Sequence, residues 1–151
     1  MRIITGSARG CRLKAPPGEA TRPTADRTRE ALFSMLGSRV MDAQVLDLFA
    51  GTGALALEAL SRGAAHAVMI DRATHDVLVE NARRTKLAQR VELRRGDVYG
   101  HAAELARAGR TFDLIFADPP YAKGDALRVL RAVDSGVLLA AAGLFVLEQG
   151  A

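Results

Sequence analysis

One cysteine, Cys11, occurs among the 151 residues. An intramolecular disulfide is therefore impossible, and a zinc site built on cysteines is not expected. Such usage fits a reducing compartment, so the cytoplasm is the expected location. No apolar run approaches the roughly 18 residues of a membrane span, and no membrane association is expected. Met1-Arg2-Ile3-Ile4 leads straight into polar, basic sequence, so no secretory signal is expected either. His66, His75 and His101 fall beside or within the helical segments, away from strand ends, and read as surface residues. No metal site is expected, and there is no internal repeat or low-complexity tract.

An apolar fraction of 49% and a charged fraction of 25% are ordinary globular values. The length suits one domain with a sizeable core, and a monomer is expected. The charge is unevenly placed. Arg2, Arg9, Arg12, Lys14, Arg22, Arg27 and Arg29 face only Glu19, Asp26 and Glu30 in the first thirty residues, while the remainder is neutral. This asymmetry points to a polyanionic partner such as nucleic acid. Residues 1–23 are accordingly expected to be a basic, hairpin-like extension, and 24–151 the main domain. Arg2–Thr5 is expected to pair with Arg12–Lys14. A helix is expected over about 25–36, with Thr24 as N-cap, Ala31, Leu32, Met35 and Leu36 as its apolar stripe, and Gly37 as C-cap.

From Gln44 the pattern alternates strand and helix. Strands are expected over 45–49, 67–70, 91–94, 112–117 and 143–147, with helices over 54–62, 74–86, 98–108 and about 125–133. Repeated βα units of this length imply an α/β fold with a mainly parallel sheet covered on both faces. Ligands of such folds bind outside the carboxyl ends of the strands. Asp47, Asp71, Asp97, Asp118 and Glu148 occupy those positions. Five acids along one edge suit a ligand with cationic or hydrogen-bond-donating groups.

Asp47-Leu48-Phe49-Ala50-Gly51-Thr52-Gly53-Ala54 joins the first strand to its helix, and Asp71 lies twenty residues after Gly51. The glycines permit close approach of a ligand, and Asp71 stands where a ribose would be held. Gly51–Ala56 also fits a relaxed dinucleotide fingerprint. Asp47 argues against that cofactor, because a carboxylate repels a pyrophosphate and attracts the ammonium and sulfonium of S-adenosylmethionine. A nicotinamide enzyme would also need a proton donor, and none can be placed. Phe49, Ala50, Thr52, Arg72 and Val98 complete the candidate cofactor site. Asp97 is a candidate acceptor for the adenine amine and also a candidate N-cap.

Asp118-Pro119-Pro120-Tyr121 follows the fourth strand. Two successive prolines fix φ and lack amide hydrogens, so the carbonyls around them stay free as rigid acceptors. With the Asp118 carboxylate they suit an exocyclic base amine, and Tyr121 offers a flat face for the base. The amine's lone pair is delocalised into its ring. Acceptors holding both hydrogens favour a pyramidal nitrogen aimed at a methyl donor. Arg9, Arg12, Lys14, Arg22 and Arg27 are the candidate nucleic-acid contacts.

Along nearly its whole length the chain resembles the 16S rRNA guanine-N2 methyltransferases. The likeness rests on Met1–Gly6, Arg9-Gly10, Leu13-Lys14, Pro16–Gly18, Thr21–Thr24, Asp26-Arg27 and Arg29–Phe33. It continues through Asp47–Leu55, Leu57–Ala64 and Asp118–Tyr121. The last quartet is shared with DNA adenine methyltransferases, whereas the N-terminal signatures are more specific. The resemblance implies a Rossmann-like class I methyltransferase fold, S-adenosylmethionine as donor and S-adenosylhomocysteine as product. It implies no metal, and a guanine of 16S rRNA in the small subunit or an assembly intermediate as substrate. Family members usually continue into a β-hairpin after the fifth strand, so this chain, stopping at Glu148–Ala151, is expected to be truncated relative to them. A DNA adenine-N6 methyltransferase and a non-catalytic RNA-binding or assembly factor are the competing readings. The small basic extension speaks against the first, and the intact quartet against the second.

Overall fold

Val45 to Leu48 are all buried, which makes Gln44–Leu48, β1, a central strand. A strand buried on both faces reads as continuously apolar, and this one is interrupted only by Asp47. The computed structural model describes residues 1–16, 23–119, 125–135 and 137–147. The other elements are α1 (Pro23–Leu36), α2 (Ala54–Ser61), β2 (His66–Asp71), α3 (His75–Arg84), β3 (Val91–Arg95), α4 (Val98–Arg107), β4 (Phe112–Ala117), α5 (Asp125–Ser135) and β5 (Leu139–Leu147). Two short 3-10 turns, Gly37–Val40 and Ala88–Arg90, were not expected from the sequence.

The sheet order is β3-β2-β1-β4-β5, and every pairing within it is parallel. The chain winds outward from β1 to β3, then returns to β4 on the other side of β1. The switch point thus lies between β1 and β4, where a ligand crevice is expected. Side chains alternate across the sheet. Val45, Met69, Leu114 and Phe116 join Phe33, Leu57, Leu60 and Leu78 in one core layer. Leu46, Leu48, Val68, Ile70 and Ile115 join Leu105, Val129 and Val133 in the other. The expected two-faced α/β architecture is therefore present. Among the described residues, no helix is long and apolar enough to cross a membrane.

Three expectations need correction. Helix α1 begins at Pro23, so Thr24 lies inside it rather than capping it. Its buried face is Arg29, Phe33 and Leu36, with Leu32 half-buried. Ala31 is exposed, and Met35 is 85% exposed. The expected stripe is right for Leu36 and in part for Leu32, and it misses Phe33 and Arg29 because an arginine interrupts the apolar face. Strand β5 begins at Leu139, not Gly143, and its pairing with β4 slips between Phe112 and Leu114.

The N-terminal segment is pinned to the domain. Its hairpin reduces to one antiparallel bridge, Arg2 to Arg12, supported by Ile3 N–H to the Cys11 carbonyl (3.0 Å) and Leu13 N–H to the Met1 carbonyl (2.9 Å). Ile3, Ala8 and Leu13 are buried in the α1–α2 core layer. Gly6, at φ +94°, packs so closely that a Cβ there would lie 1.8 Å from the Ser61 carbonyl oxygen. No side chain fits that contact.

Candidate active site

Asp47 is 3% exposed, on the α2 side of the sheet. The nearby Ala56 N–H favours its charged form, but Oδ2 has no hydrogen-bond partner among the described residues. Burial pushes the Asp47 pKa up to about 8, and the charges of Asp118 and Asp71 add to the shift. Asp47 near the end of β1, Asp71 at the end of β2 and Asp118 just after β4 lie along the carboxyl edge of neighbouring parallel strands, as the strand-end rule predicts. An unpartnered buried carboxyl oxygen is costly unless a donor or cation meets it. A ligand ammonium would relieve that cost, so the residues fit the expected cofactor.

The loop after β1 is tied by its own backbone and by Asp71. Ala50 N–H reaches the Ile70 carbonyl (3.0 Å), and Gly53 N–H reaches the Ala50 carbonyl (2.8 Å). Asp71 Oδ2 accepts Gly51 N–H (2.9 Å), while Oδ1 accepts Ala73 N–H (2.8 Å) and Thr74 N–H (3.1 Å). Asp71 therefore shapes the loop as well as standing at ribose spacing. Of the roughly four lone-pair sites of a carboxylate, these three bonds leave about one for a ribose hydroxyl. Gly53 sits at φ +80° at the head of α2, and a Cβ there would come within 3.0 Å of Leu78. Arg72 is exposed beside Asp71.

Asp97 is the N-cap of α4, its Oδ2 accepting Gly100 N–H at 3.0 Å. Capping leaves the remaining lone pairs of an exposed carboxylate usable. Val98 is buried beneath it. Asp118 N–H donates to the Leu48 carbonyl at 3.4 Å, so the end of β4 lies beside the end of β1. Asp118 is exposed and Pro119 buried. Pro120, Tyr121, Arg22 and Glu148 lie outside the described residues.

Several contributors were not read from the sequence. Tyr99 meets Phe49 (φ +62°) edge-on with ring centroids 5.9 Å apart, and the Arg128 guanidinium lies 3.7 Å from the Tyr99 ring centre. Glu58, fully buried on α2, was part of the resemblance but had no assigned role. Its Oε1 accepts Ile4 N–H (2.9 Å), and its Oε2 accepts Thr5 N–H (3.1 Å) and Arg62 Nε (2.9 Å). Arg29, 3% exposed, stands 3.3 Å from Oε1. A charged residue in an apolar helix stretch was the available signal. The three histidines lie at the surface, half-buried; His66 opens β2, and His101 Nε2 lies 2.9 Å from the Arg95 carbonyl.

Arg9, Arg12, Lys14 and Arg27 are exposed, as a nucleic-acid surface requires. Cys11 Sγ approaches the Arg84 carbonyl at 3.3 Å, so the C-terminal turn of α3 adjoins this segment. Exposed Arg83, Arg84 and Lys86 extend the basic surface, with Glu80 offsetting part of it. Overall neutrality after residue 30 had concealed that local cluster.

Comparison with known proteins agrees with this geometry. The family model described as Conserved hypothetical protein 95 matches residues 1–151. The chain is 40% identical to Ribosomal RNA small subunit methyltransferase D of Escherichia coli K12, over 99% of this chain and 74% of that protein. Its fold matches the structure of yhhF from Escherichia coli with a TM-score of 0.87 at 37% identity, covering 100% of this chain and 81% of that one. It matches SMU.776, solved in complex with SAH, with a TM-score of 0.69 at 25% identity, covering 83% of this chain and 35% of that one. The chain belongs to the Conserved hypothetical protein 95 family and is an RsmD-like, S-adenosylmethionine-dependent methyltransferase of the Rossmann-like class I fold.

Proposed function

We propose that this enzyme transfers a methyl group from S-adenosylmethionine to the exocyclic N2 amine of a guanine in 16S ribosomal RNA. The RNA is presented in the small subunit or an assembly intermediate. One observation carries the reading: the Asp118 backbone is pinned beside the cofactor loop through the Leu48 carbonyl, and its charge is felt at Asp47. The activity named for the Escherichia coli relative and the exposed basic residues support RNA as the substrate. The same reading makes this a monomeric, cytoplasmic enzyme.

When bound, the cofactor supplies an electrophilic methyl group on a sulfonium. Asp47 would hold the ammonium end, Asp71 would accept a ribose hydroxyl, Asp97 would accept from the adenine amine, and Phe49, Ala50 and Val98 would line the apolar part. The Asp118 carboxylate and its own carbonyl, held rigid by Pro119, accept the two hydrogens of the guanine amine. That grip would aim the nitrogen lone pair out of the ring plane toward the cofactor site, so positioning contributes much of the acceleration, and the one proton the nitrogen sheds on methylation would pass toward the Asp118 carboxylate. Tyr121, outside the described residues, is assigned by this reading to stacking on the base. The base must leave any stack to reach these acceptors, so a loop guanine outperforms the same sequence in a duplex.

Single-turnover methyl transfer to small subunits, free 16S RNA and duplex DNA tests this reading. Asp118→Ala is expected to abolish transfer while binding of S-adenosylhomocysteine stays within a few-fold. Near-normal rates in that variant would reduce the quartet to a structural turn. Preferential methylation of duplex DNA would overturn the substrate assignment.

A further inference from the structure

Asn81 is fully buried on α3, and its carboxamide joins two segments far apart in sequence. Oδ1 accepts Lys14 N–H at 2.6 Å. Nδ2 donates to the Lys14 carbonyl at 2.9 Å and to the Thr52 carbonyl at 2.8 Å. The partners dictate the amide orientation, since two carbonyls need donors and one N–H needs an acceptor. Lys14 keeps its side chain in solvent while its backbone is held. Thr52 stands between the two glycines of the cofactor loop. A second contact joins the same regions, with Thr52 Oγ1 3.7 Å from Met1 Sδ.

We propose that Asn81 is a positioning residue that ties the basic N-terminal segment to the cofactor loop, so that cofactor and RNA bind with positive cooperativity. The inference rests on the substrate reading above. Each ligand further restrains the segment it touches. A shared buried carboxamide, with both of its donor hydrogens committed, makes ordering of one segment favour ordering of the other. The second ligand then meets a segment already fixed. Such linkage is reciprocal, so each ligand must tighten the other by the same factor.

The experiment measures S-adenosylhomocysteine affinity with and without unmethylated small ribosomal subunits, and subunit affinity with and without S-adenosylhomocysteine. In the wild type each ligand is expected to tighten the other by about fivefold or more. In Asn81→Ala that factor is expected to fall towards one. Asn81→Asp is expected to do the same, because it keeps the acceptor for Lys14 N–H and loses both donors. A merely structural asparagine would lower both affinities and leave the factor unchanged. A wild-type factor of one, or its persistence in Asn81→Ala, overturns the proposal.

Hydrogen exchange on the wild type tests the tie between loop and segment even if the variants fail to fold. S-adenosylhomocysteine is expected to slow exchange at the Lys14 amide more than at Ile3 and Leu13, whose amides bond to the Cys11 and Met1 carbonyls. Equal slowing at all three overturns the tie. Protein that binds S-adenosylhomocysteine but neither subunits nor free 16S RNA overturns the substrate reading instead. The exchange arm, which needs no RNA, still decides whether loop and segment are coupled.

Discussion

Asp47 illustrates how one residue's environment sets its chemistry. With a pKa of about 8, it is largely protonated in the free enzyme at neutral pH. A ligand ammonium favours the carboxylate, so binding must expel the proton. Calorimetric titration with S-adenosylhomocysteine at pH 7, in buffers of different ionisation enthalpy, should show release of about one proton, absent in Asp47→Asn. Binding without net proton release would remove Asp47 from the ammonium site. The stability consequence has a definite sign. The folded state holds this proton above the unfolded pKa near 3.8, so the associated stability is full below that pH and is lost as pH rises through about 8. Asp47→Asn should therefore flatten the decline in apo stability between about pH 4 and about pH 8. At the other end of the site, Tyr121→Ala should slow transfer through lost stacking worth about 1–3 kcal/mol, and Tyr121→Phe should be milder. Equal damage in both would give the hydroxyl a role.

Helix α1 is the element for which periodicity and packing disagree. Apolar spacing favours a face containing Ala31 and Met35, yet the buried face carries Arg29 and Phe33. The physical reason is Glu58, which receives the guanidinium inside the domain. Phe33 also meets Phe116 of β4, with ring centroids 6.0 Å apart. Phe33→Ala should cost about 3–5 kcal/mol in urea denaturation. Met35→Ala should stay within about 0.5 kcal/mol. Comparable losses at both positions would mean that the helix packs in the register expected from its sequence.

Across the whole molecule, the basic N-terminal segment is part of the structural core while its charges face outward. Ile3 and Leu13 are buried, and the amides of Ile4 and Thr5 satisfy Glu58. Deleting the segment would leave that carboxylate short of two donors and expose apolar core. Loss of RNA binding on deletion would therefore carry no message about phosphate contacts. Replacing Arg9, Arg12 and Lys14 together by Gln keeps the backbone in place. The salt dependence of RNA binding should then flatten by about 2 in logarithmic slope if three single-strand phosphate contacts are lost. An unchanged slope would move the RNA surface elsewhere, with Arg83, Arg84 and Lys86 the adjoining basic group.

The sequence alone determined the alternation of strands and helices and the acids at the strand ends. Hydrophobic period and glycine placement are local properties, readable without coordinates. It also singled out Asp47, Asp71 and Asp118, because strand order in such folds brings their positions to one edge. Tertiary structure decided what no local pattern contains. Arg29 is buried because Glu58 lies opposite it. Asp71 braces the cofactor loop because Gly51 is folded against it. Asn81 joins Lys14 to Thr52 across 67 and 29 positions of chain. A polar residue inside an apolar pattern signals only that a partner must exist. Which group answers that demand depends on which distant segments the parallel crossovers bring within hydrogen-bond range.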